Sequence, residues 1–544
     1  MAKWQEKLNE SQTHLYKMYS DGIDYQNRIG IREAIPTNIK FFEGNQWPAP
    51  TESTKNLPRP VINIVRMICR SKKAAILTTP IRVSFKSYTQ GIDVSKFNSF
   101  SESIFKELCQ DKLDKLAIDD GVKKGSYFYH YFWDKDAIDL NGIQDGGVRC
   151  ELIDPLNIFF ANPSLVDEQK QKWILISSHL EIDDVLELCD KECLISRTLL
   201  EGDKNDNGTI TLLTRYFRIN GEVYCERGTK SYIISKPFMI APSQNHIEAN
   251  QLEANQSKAN RIRANLYPIA CGFYEKRDSS IYGISEIDGL IPNQKAINFN
   301  VAMSLLNAQE CAWGKYIALP NALKGQKISN VPGQVLIDHS GTGDGIKRMQ
   351  EQTISQVPMN ITSTLIDLTK SSSGSAGIMN GELQWSNMSG AAIAQLQAQA
   401  QLPIEELRSE FWEVKRKQGL IIAQFMKLYY YKKPFITIVT ENGTEKEVFD
   451  YFTSKDYENA IFDISVEITG GSKASASSVI SMLDNCLANG NISIETYIKA
   501  YPDSALCNKQ EILKQIQMEK SSELERLKTE LNQLKNSKKS TKNQ

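Results

Sequence analysis

The chain has 544 residues, of which 41% are hydrophobic and 24% are charged, as expected for a soluble protein built from several modules. Its formal net charge is -1, so it lacks the basic surplus of proteins that grip DNA by neutralising phosphates. The N-terminus is polar, so we expect no signal peptide. The aliphatic stretch 61–77 is broken by four cations, so we expect no membrane span at that stretch. We therefore place the chain in a cytosol-like compartment.

The first half of the chain predicts an α+β unit. Residues 4–42 are typical of helices with short breaks, and helices are also predicted up to about residue 77 and over residues 97–118 and 182–200. Residues 243–263 are polar and predict an exposed insertion. Aromatic and β-branched runs predict mostly antiparallel strands at 81–85, 127–133, 148–153, 173–180, 209–219 and 222–224.

The second half begins with an out-and-back excursion of the chain. A helix is predicted from about residue 285 to 313, and another over residues 361–370. Between them lies a Gly/Pro-rich segment, 315–349, in which short strands such as 334–337 are expected. Two helices that bracket a small β-containing module predict a hairpin with that module at its far end.

A Gly/Ser loop over residues 371–388 and a long helix follow this excursion. The loop is long enough to suggest a function of its own. Apolar residues at spacings of three and four predict a helix over residues 389–431, interrupted only by Gln418, with a length of roughly 65 Å. Pro403 should kink or split this helix, because its ring clashes with the carbonyl four residues earlier.

The C-terminal region predicts a boundary at Gly470-Gly471 and a helical end of the chain. Strands are expected over residues 435–440 and 464–468, and helices over residues 475–487 and 494–500. A short seam of coiled-coil type is formed by Leu524, Leu527, Leu531 and Leu534, and a basic tail ends the sequence.

Signatures of enzymes are missing from the sequence. Gly314-Lys315 is followed by tyrosine where a phosphate-binding loop needs Ser or Thr. Cys189 and Cys193 have no second pair nearby and are better explained as small apolar side chains than as zinc ligands. Gly470-Gly471-Ser472-Lys473 could hold an anion, although a domain hinge is favoured. We therefore predict no enzymatic activity, no cofactor and no metal.

The order of these parts resembles the portal family of tailed phages, and is similar to the portals of short-tailed phages. Short segments support the resemblance, each of them weak alone but all in the expected order. They are the turn Phe41-Phe42-Glu43-Gly44-Asn45-Gln46-Trp47, the block Arg59-Pro60-Val61-Ile62-Asn63, Ile153-Asp154-Pro155 with Asn162-Pro163, Tyr267-Pro268-Ile269, Tyr282-Gly283, Asn293-Gln294 with Asn298, and Ser389-Gly390 with Ala392-Ile393, Gln397 and Gln399.

The resemblance implies a portal fold of the α+β class. Its parts are an α+β wing, a two-helix stem, a small α/β clip, a long kinked helix and a helical crown. The implied segments are the wing (1–265), the first stem helix (266–314), the clip (315–350), the second stem helix (351–372), the tunnel loop (373–388), the long wing helix with returning wing strands (389–472), the crown (473–536) and a disordered basic tail (537–544).

The resemblance also implies a function. Portals are homo-oligomeric rings, typically of twelve subunits, at one capsid vertex of the virion, and they are assembled in the host cytoplasm. The packaging motor with its terminase large subunit docks on the clip and drives double-stranded DNA through the channel, until connector and tail proteins replace it for DNA ejection. Major capsid and scaffolding proteins are further implied partners, and no membrane is involved. The portal itself hydrolyses nothing.

The tunnel loop and the clip supply the candidate functional residues. A channel must let DNA slide, so short polar side chains are expected at its constriction. The candidates that face the DNA are Ser372, Ser373, Ser375, Asn380, Gln384, Trp385 and Asn387. The candidates for docking of motor and connector are Lys324, Lys327, Lys347 and Arg348.

Alternatives remain open at this level. The loop could be a plain surface loop, Trp385 could pack under the long helix, and the clip cations could form a solvated face. The whole chain could be another virion or scaffold assembly protein with a helical architecture, or a nucleic-acid enzyme with an unrecognised site.

Overall fold

A computed structural model describes residues 2–501 except 53, 78–80, 90, 138–145, 191–194, 241–263, 313–315, 321, 328–334, 336, 342–343, 349–355, 375–389, 431–432, 442–443, 458–459, 469–472 and 491, and beyond residue 501 it describes only 512, 513, 515, 516 and 518. The helices are α1 (Ala2–Arg28), α2 (Ile31–Glu43), α3 (Ile64–Leu77), α4 (Val94–Glu107), α5 (Gln110–Lys124), α6 (Ile182–Glu187), α7 (Arg197–Glu201), α8 (Glu286–Ala312), α9 (Val357–Ser372), α10 (Gly390–Tyr429), α11 (Lys473–Ala488) and α12 (Ile494–Ala500). The strands are β1 (Ile81–Ser87), β2 (Ser126–Asp134), β3 (Gly147–Ile153), β4 (Ile158–Phe160), β5 (Trp173–Leu180), β6 (Ile210–Ile219), β7 (Glu222–Gly228), β8 (Ile233–Met239), β9 (Ile269–Phe273), β10 (Tyr316–Ala318), β11 (Ile346–Arg348), β12 (Lys433–Glu441), β13 (Thr444–Phe452) and β14 (Phe462–Ile468).

Two antiparallel sheets organise the first part of the chain. The aromatic strand β2 lies between β3 and β9, so that Phe128 is opposite both Ile153 and Cys271. The second sheet has the order β4-β5-β6-β7-β8, in which sequence neighbours pair. These sheets and the surrounding helices confirm the predicted α+β class. Strands β4, β8, β9 and β13 were not predicted.

The main core lies where these sheets meet α2 and the end of α10. The rings of Phe128, Phe160 and Tyr282 are buried together, with centroids 5.8 Å apart between Phe128 and Phe160 and between Phe160 and Tyr282. The Tyr282 hydroxyl donates to the Ile158 carbonyl at 2.6 Å. Gly283 follows, and a Cβ there would collide with the Gly125 carbonyl oxygen. The Tyr282-Gly283 motif therefore has a packing reason, because only glycine fits beside the buried tyrosine.

Two predicted helices are interrupted in the structure. Residues 97–118 are divided between α4 and α5 by Cys109, which has a φ of 49° in the left-handed region. The break turns Gln110 and Asp114 into the core, where Asp114 accepts hydrogen bonds from buried neighbours. The predicted helix over 182–200 is also wrong, because α6 ends at Glu187 and the Asp190 N–H donates to the Ile234 carbonyl of β8 at 2.9 Å.

The remaining predicted elements are largely confirmed. Helix α10 is continuous for 40 residues, about 60 Å, so Pro403 does not split it, and a bend there stays a prediction. Strands β12 and β13 form a long antiparallel hairpin of which only the first strand was predicted.

Within the described residues, no helix is long and apolar enough to cross a bilayer.

Residues Leu77–Ser84 and Val466–Gln544 form a compact unit separate from the rest. Helices α11 and α12 of this unit match the predicted helices over 475–487 and 494–500. The Tyr497 hydroxyl of α12 donates to Asp484 Oδ1 of α11 at 2.6 Å, and Ser493 caps α12 by accepting from the Thr496 N–H. The predicted leucine seam at 524–534 and the basic tail at 537–544 lie outside the described residues.

Candidate functional site

Helices α8 and α9 pack against each other and form a helical hairpin, with β10 and β11 at its far end. The two short strands are antiparallel, with Ile317 opposite Lys347. The predicted out-and-back excursion is therefore present. Within the predicted inner strand 334–337, residues 334 and 336 lie outside the described part, and Val335 and Ile337 are not in a strand. The returning helix α9 is longer than the predicted 361–370.

The root of the hairpin is fixed by the cap of α8. The Ser285 hydroxyl accepts from the Ile287 N–H at 3.0 Å, and Asp288 Oδ2 accepts from the Ser285 N–H at 3.2 Å. This reciprocal arrangement is a capping box with aspartate as the acidic residue. Asp288 also accepts a hydrogen bond from Asn38 Nδ2 of α2 at 2.8 Å. The start of α8 is thereby tied to the N-terminal helices.

A network of side-chain amides, here called the amide joint, adds a second attachment between α8 and the segment before α3. Asn298 Nδ2 donates to Gln46 Oε1 at 2.7 Å, and Gln294 Nε2 donates to Asn298 Oδ1 at 2.9 Å. Gln294 Oε1 accepts from the Ile64 and Val65 N–H groups. All three amide side chains are buried, so each needs these partners. Three residues from two separate sequence motifs thus form one structural unit.

The β10–β11 module, residues 316–348, is organised by Asp338. Asp338 Oδ1 accepts from the Ser340 N–H at 2.8 Å, and Oδ2 accepts from the Gly345 N–H at 2.9 Å. The Ser340 hydroxyl and these backbone groups hold the pKa of Asp338 below its ordinary value. A side chain at position 345 would collide with the Asp338 carboxylate. Residues 315–349 were predicted only as a Gly/Pro-rich segment with short strands, so the role of Asp338 was missed.

The hairpin exposes apolar side chains that its own packing does not cover. Leu368 of α9 is 60% exposed, Ile317 of β10 is 61% exposed and Phe299 of α8 is 51% exposed. Several large apolar side chains left exposed on one pair of helices and its module are typical of an interaction site. Other exposed apolar residues of the hairpin and its module are Met303, Leu305, Tyr316, Leu319, Val335, Ile337, Val357, Met359 and Ile361. The sequence signal was present as apolar residues on all sides of the predicted helix 285–313.

Helix α9 also presents small hydroxyls with little charge. Asp367 and Lys370 are its only ionisable residues. The hydroxyls of Thr362, Thr364 and Thr369 donate to carbonyls four residues earlier, at 2.7, 3.0 and 2.6 Å. Hydroxyls that are satisfied within the helix have little remaining affinity for a passing ligand. The surface of α9 is therefore polar in part but weakly binding.

Only two of the predicted DNA-facing residues lie in the described part of the chain. Ser372 is the last residue of α9, and its hydroxyl donates to the Thr369 carbonyl at 3.1 Å. The Ser373 hydroxyl donates to the Lys370 carbonyl at 3.0 Å. Both residues thus close the helix rather than belong to a free loop. The other candidates, Ser375, Asn380, Gln384, Trp385 and Asn387, lie outside the described residues.

The four docking candidates lie in the β10–β11 module. Lys324 and Lys327 are exposed, and Lys324 has a φ of 38° in the turn before Gly325. Lys347 lies on β11 and pairs with Asp344 at 3.2 Å, both well exposed. Arg348 ends β11 opposite Tyr316. The structure brings the four into one small module, and their docking role stays a prediction.

The long helix α10 is anchored to the α+β part by buried polar side chains. Lys415 pairs with Asp114, which also accepts from the Tyr129 hydroxyl at 2.8 Å. Lys417 Nζ lies 2.8 Å from a carboxylate oxygen of the fully buried Glu168. Burial raises the pKa of Glu168, and Lys417 opposes that rise. These contacts fix the position of α10, which follows the loop that was predicted as a constriction.

Comparison with known proteins supplies one match. Residues 252–474 match a family model described as phage P22-like portal protein. The matched segment contains the hairpin, the β10–β11 module, α10 and β12–β14, and it ends at the start of α11. No curated protein matches the chain. The match confirms the resemblance to portals of the short-tailed type.

Proposed function

We propose that the chain is the subunit of the ring-shaped portal at a phage capsid vertex, because residues 252–474 match the family model described as phage P22-like portal protein. In this proposal the ring, of twelve subunits, forms the channel for double-stranded DNA packaging and ejection. It is assembled in the host cytoplasm with major capsid and scaffolding proteins and is then part of the virion. Its role is structural, and the hydrolysis that drives packaging belongs to the terminase.

The observation that supports the proposal best is the exposed apolar surface of the α8–α9 hairpin within the matched segment. An isolated monomer would leave this surface in water at a large hydrophobic cost. In a closed ring each subunit offers two different faces to its two neighbours, so the contacts are heterologous. We assign the hairpin to the stem, where neighbouring subunits cover its apolar side chains.

The channel is assigned to α9 and the loop that follows it. Strong phosphate neutralisation would hold DNA in place, whereas α9 has only two ionisable residues and internally satisfied hydroxyls. We propose that the constriction is formed by the tunnel loop after α9, with Ser372, Ser373, Ser375, Asn380, Gln384, Trp385 and Asn387 as its candidate DNA-facing residues.

The β10–β11 module is proposed as the clip. The terminase large subunit docks there during packaging, and connector and tail proteins dock there afterwards. The exposed lysines Lys324, Lys327 and Lys347 at one end of the hairpin suit such exchange, because charges at the edge of an interface mainly affect the rate of association. The candidate contacts are Lys324, Lys327, Lys347 and Arg348.

Microscopy of the purified chain tests the ring. Negatively stained particles should be rings with a central hole, and persistent monomers at high concentration would contradict the proposal.

A variant without residues 315–349 tests the clip, because it should lose binding to the terminase. A terminase affinity unchanged by this deletion would move the docking site elsewhere.

A further inference from the structure

A cavity of about 900 Å³ lies between the end of α2, the turn that follows it and the third turn of α8. Its apolar walls are the rings of Phe41, Trp47 and Phe299 with Pro48 and Ala49. Trp47 is held in place, because its indole N–H donates to the Pro60 carbonyl at 2.9 Å. Below these rings, Gln46 and Asn298 belong to the amide joint. The cavity is therefore preformed and of a size typical of ligand sites.

Three cations surround the cavity. Lys40, Arg59 and Lys295 line it and are exposed to solvent. Within the described part of the chain none of the three forms an ion pair. Arg59 donates one hydrogen bond to the Pro48 carbonyl at 3.1 Å, and the Lys295 ammonium lies 5.6 Å from the centre of the Phe41 ring. The site thus combines apolar walls with three rim cations that form no ion pair with any described residue.

Simple structural reasons explain only part of this arrangement. Lys40 lies in the last turn of α2, where a cation is favoured by the helix dipole. Arg59 and Lys295 have no such reason, since Arg59 is in an extended segment and Lys295 is in the interior of α8. Phe299 is 51% exposed at the edge of the cavity, although a ring of this size is normally covered. These features point to an occupant that brings both apolar surface and negative charge.

We propose that this cavity binds a peptide segment of a partner protein, in which an aromatic or large aliphatic side chain is flanked by carboxylates. The apolar side chain fills the space between Trp47 and Phe299, and the carboxylates meet the cations at the rim. Nucleic acid fits less well, because three cations around the mouth of one apolar cavity do not form the basic track that a phosphate backbone follows. The proposal concerns a different surface from the clip. It shares Phe299 with the hairpin surface assigned to the subunit interface, and the other residues that line the cavity are not part of that assignment.

Fluorescence anisotropy tests the proposal with a labelled Asp-Glu-Phe-Asp-Glu peptide and the full chain. Saturable binding is expected, weakened about tenfold or more when the phenylalanine of the peptide is replaced by alanine. Lys295→Glu should weaken binding by about tenfold, because it removes one rim cation and adds repulsion. Lys135→Glu, a charge reversal at an exposed lysine outside the cavity, should leave the affinity unchanged.

Several outcomes would overturn the proposal. Absence of saturable binding to the wild-type chain is one of them, and equal affinity of wild type and Lys295→Glu is another. Tighter binding of a short oligothymidine than of the acidic peptide would assign the cavity to nucleic acid. If the Lys295→Glu variant fails to form rings when no peptide is present, the cavity is instead a contact site for a neighbouring copy of the chain. Ring formation is scored separately by microscopy, so failure of peptide binding leaves the portal assignment untouched.

Discussion

At the residue scale, the long helix α10 places several polar side chains in the core. Most have partners: Gln424 accepts from the Asn265 and Leu266 N–H groups at 3.0 and 2.9 Å. Gln418 differs, because it is fully buried and neither its Oε1 nor its Nε2 has a hydrogen-bond partner among the residues that the structure describes. An unsatisfied buried amide costs free energy, whereas an apolar side chain of similar size does not.

Replacing Gln418 by leucine should therefore stabilise the protein. We expect Gln418→Leu to raise the free energy of unfolding by about 1–2 kcal/mol, as measured by chemical denaturation. The matched change Gln424→Leu should lower it, because it leaves two backbone N–H groups without an acceptor. A destabilised Gln418→Leu variant would show that the amide has a partner, such as a bound water.

A second prediction concerns Asp338. Its pKa in the folded chain lies below that of an unfolded aspartate, which is about 3.9. Its contribution to the β10–β11 module is therefore complete above that pH and is lost as the pH falls through the folded-state pKa. Hydrogen exchange of residues 337–345, corrected for intrinsic rates, should show falling protection below about pH 4.

The control for this prediction is a pair of substitutions at neutral pH. Asp338→Asn should reduce protection of the Gly345 amide, since a charged acceptor is replaced by a weaker neutral one. Asp344→Asn, at an exposed residue that pairs only with Lys347, should change it little. Equal loss of protection in both variants would mean that charge in general, rather than Asp338, organises the module.

At the scale of elements, helix α10 follows from its apolar periodicity, because long helices leave a strong repeating signal. The strands β4, β8, β9 and β13 escaped prediction: β4 has only three residues, and β9 depends on pairing with β2, which is distant in sequence. The breaks at Cys109 and after Glu187 were set by tertiary contacts of Asp114 and Asp190. The amide joint was visible in the sequence as separate motifs, but their convergence required the fold.

A charge on the exposed face of the hairpin should block assembly without unfolding the subunit. Leu305 is 44% exposed, so Leu305→Glu is tolerated in a monomer but costly once a neighbour covers it. We expect the protein concentration needed for ring formation to rise at least about tenfold, with an unchanged circular dichroism spectrum. Mass photometry measures the ring fraction.

The matched control for Leu305→Glu is Ile219→Glu, at a similarly exposed residue that ends β6 outside the hairpin. This control should assemble like the wild-type chain. Normal ring formation by Leu305→Glu would show that the hairpin is not part of the subunit interface.

At the scale of the whole molecule, the proposed portal divides its tasks among segments. The α+β part holds the root of the hairpin through Ser285, Asp288 and the amide joint, and it holds α10 through Lys415 and Lys417. In sequence, residues 373–389 lie between α9, which packs on α8, and α10. The loop can be changed without removing any of these attachments.

Deletion of residues 372–387 should leave rings intact and impair DNA packaging or retention. The reason is that the described contacts which anchor α9 and α10 lie outside the deleted segment. Particle counts by microscopy and the DNA content of assembled heads give the two readouts. Failure to assemble would show that the segment is needed for the structure of the ring. Normal DNA packaging and retention would show that the segment does not form the constriction of the channel.

The amide joint between α8 and the N-terminal segment contains Gln46, Gln294 and Asn298 and no ionised group. Ions in solution screen charged pairs but have little effect on buried neutral hydrogen bonds. A capsid that fills with DNA also fills with counterions, and the ionic strength around the portal then changes greatly. The amide joint should therefore hold the hairpin equally well through that change, because its buried neutral hydrogen bonds depend little on salt.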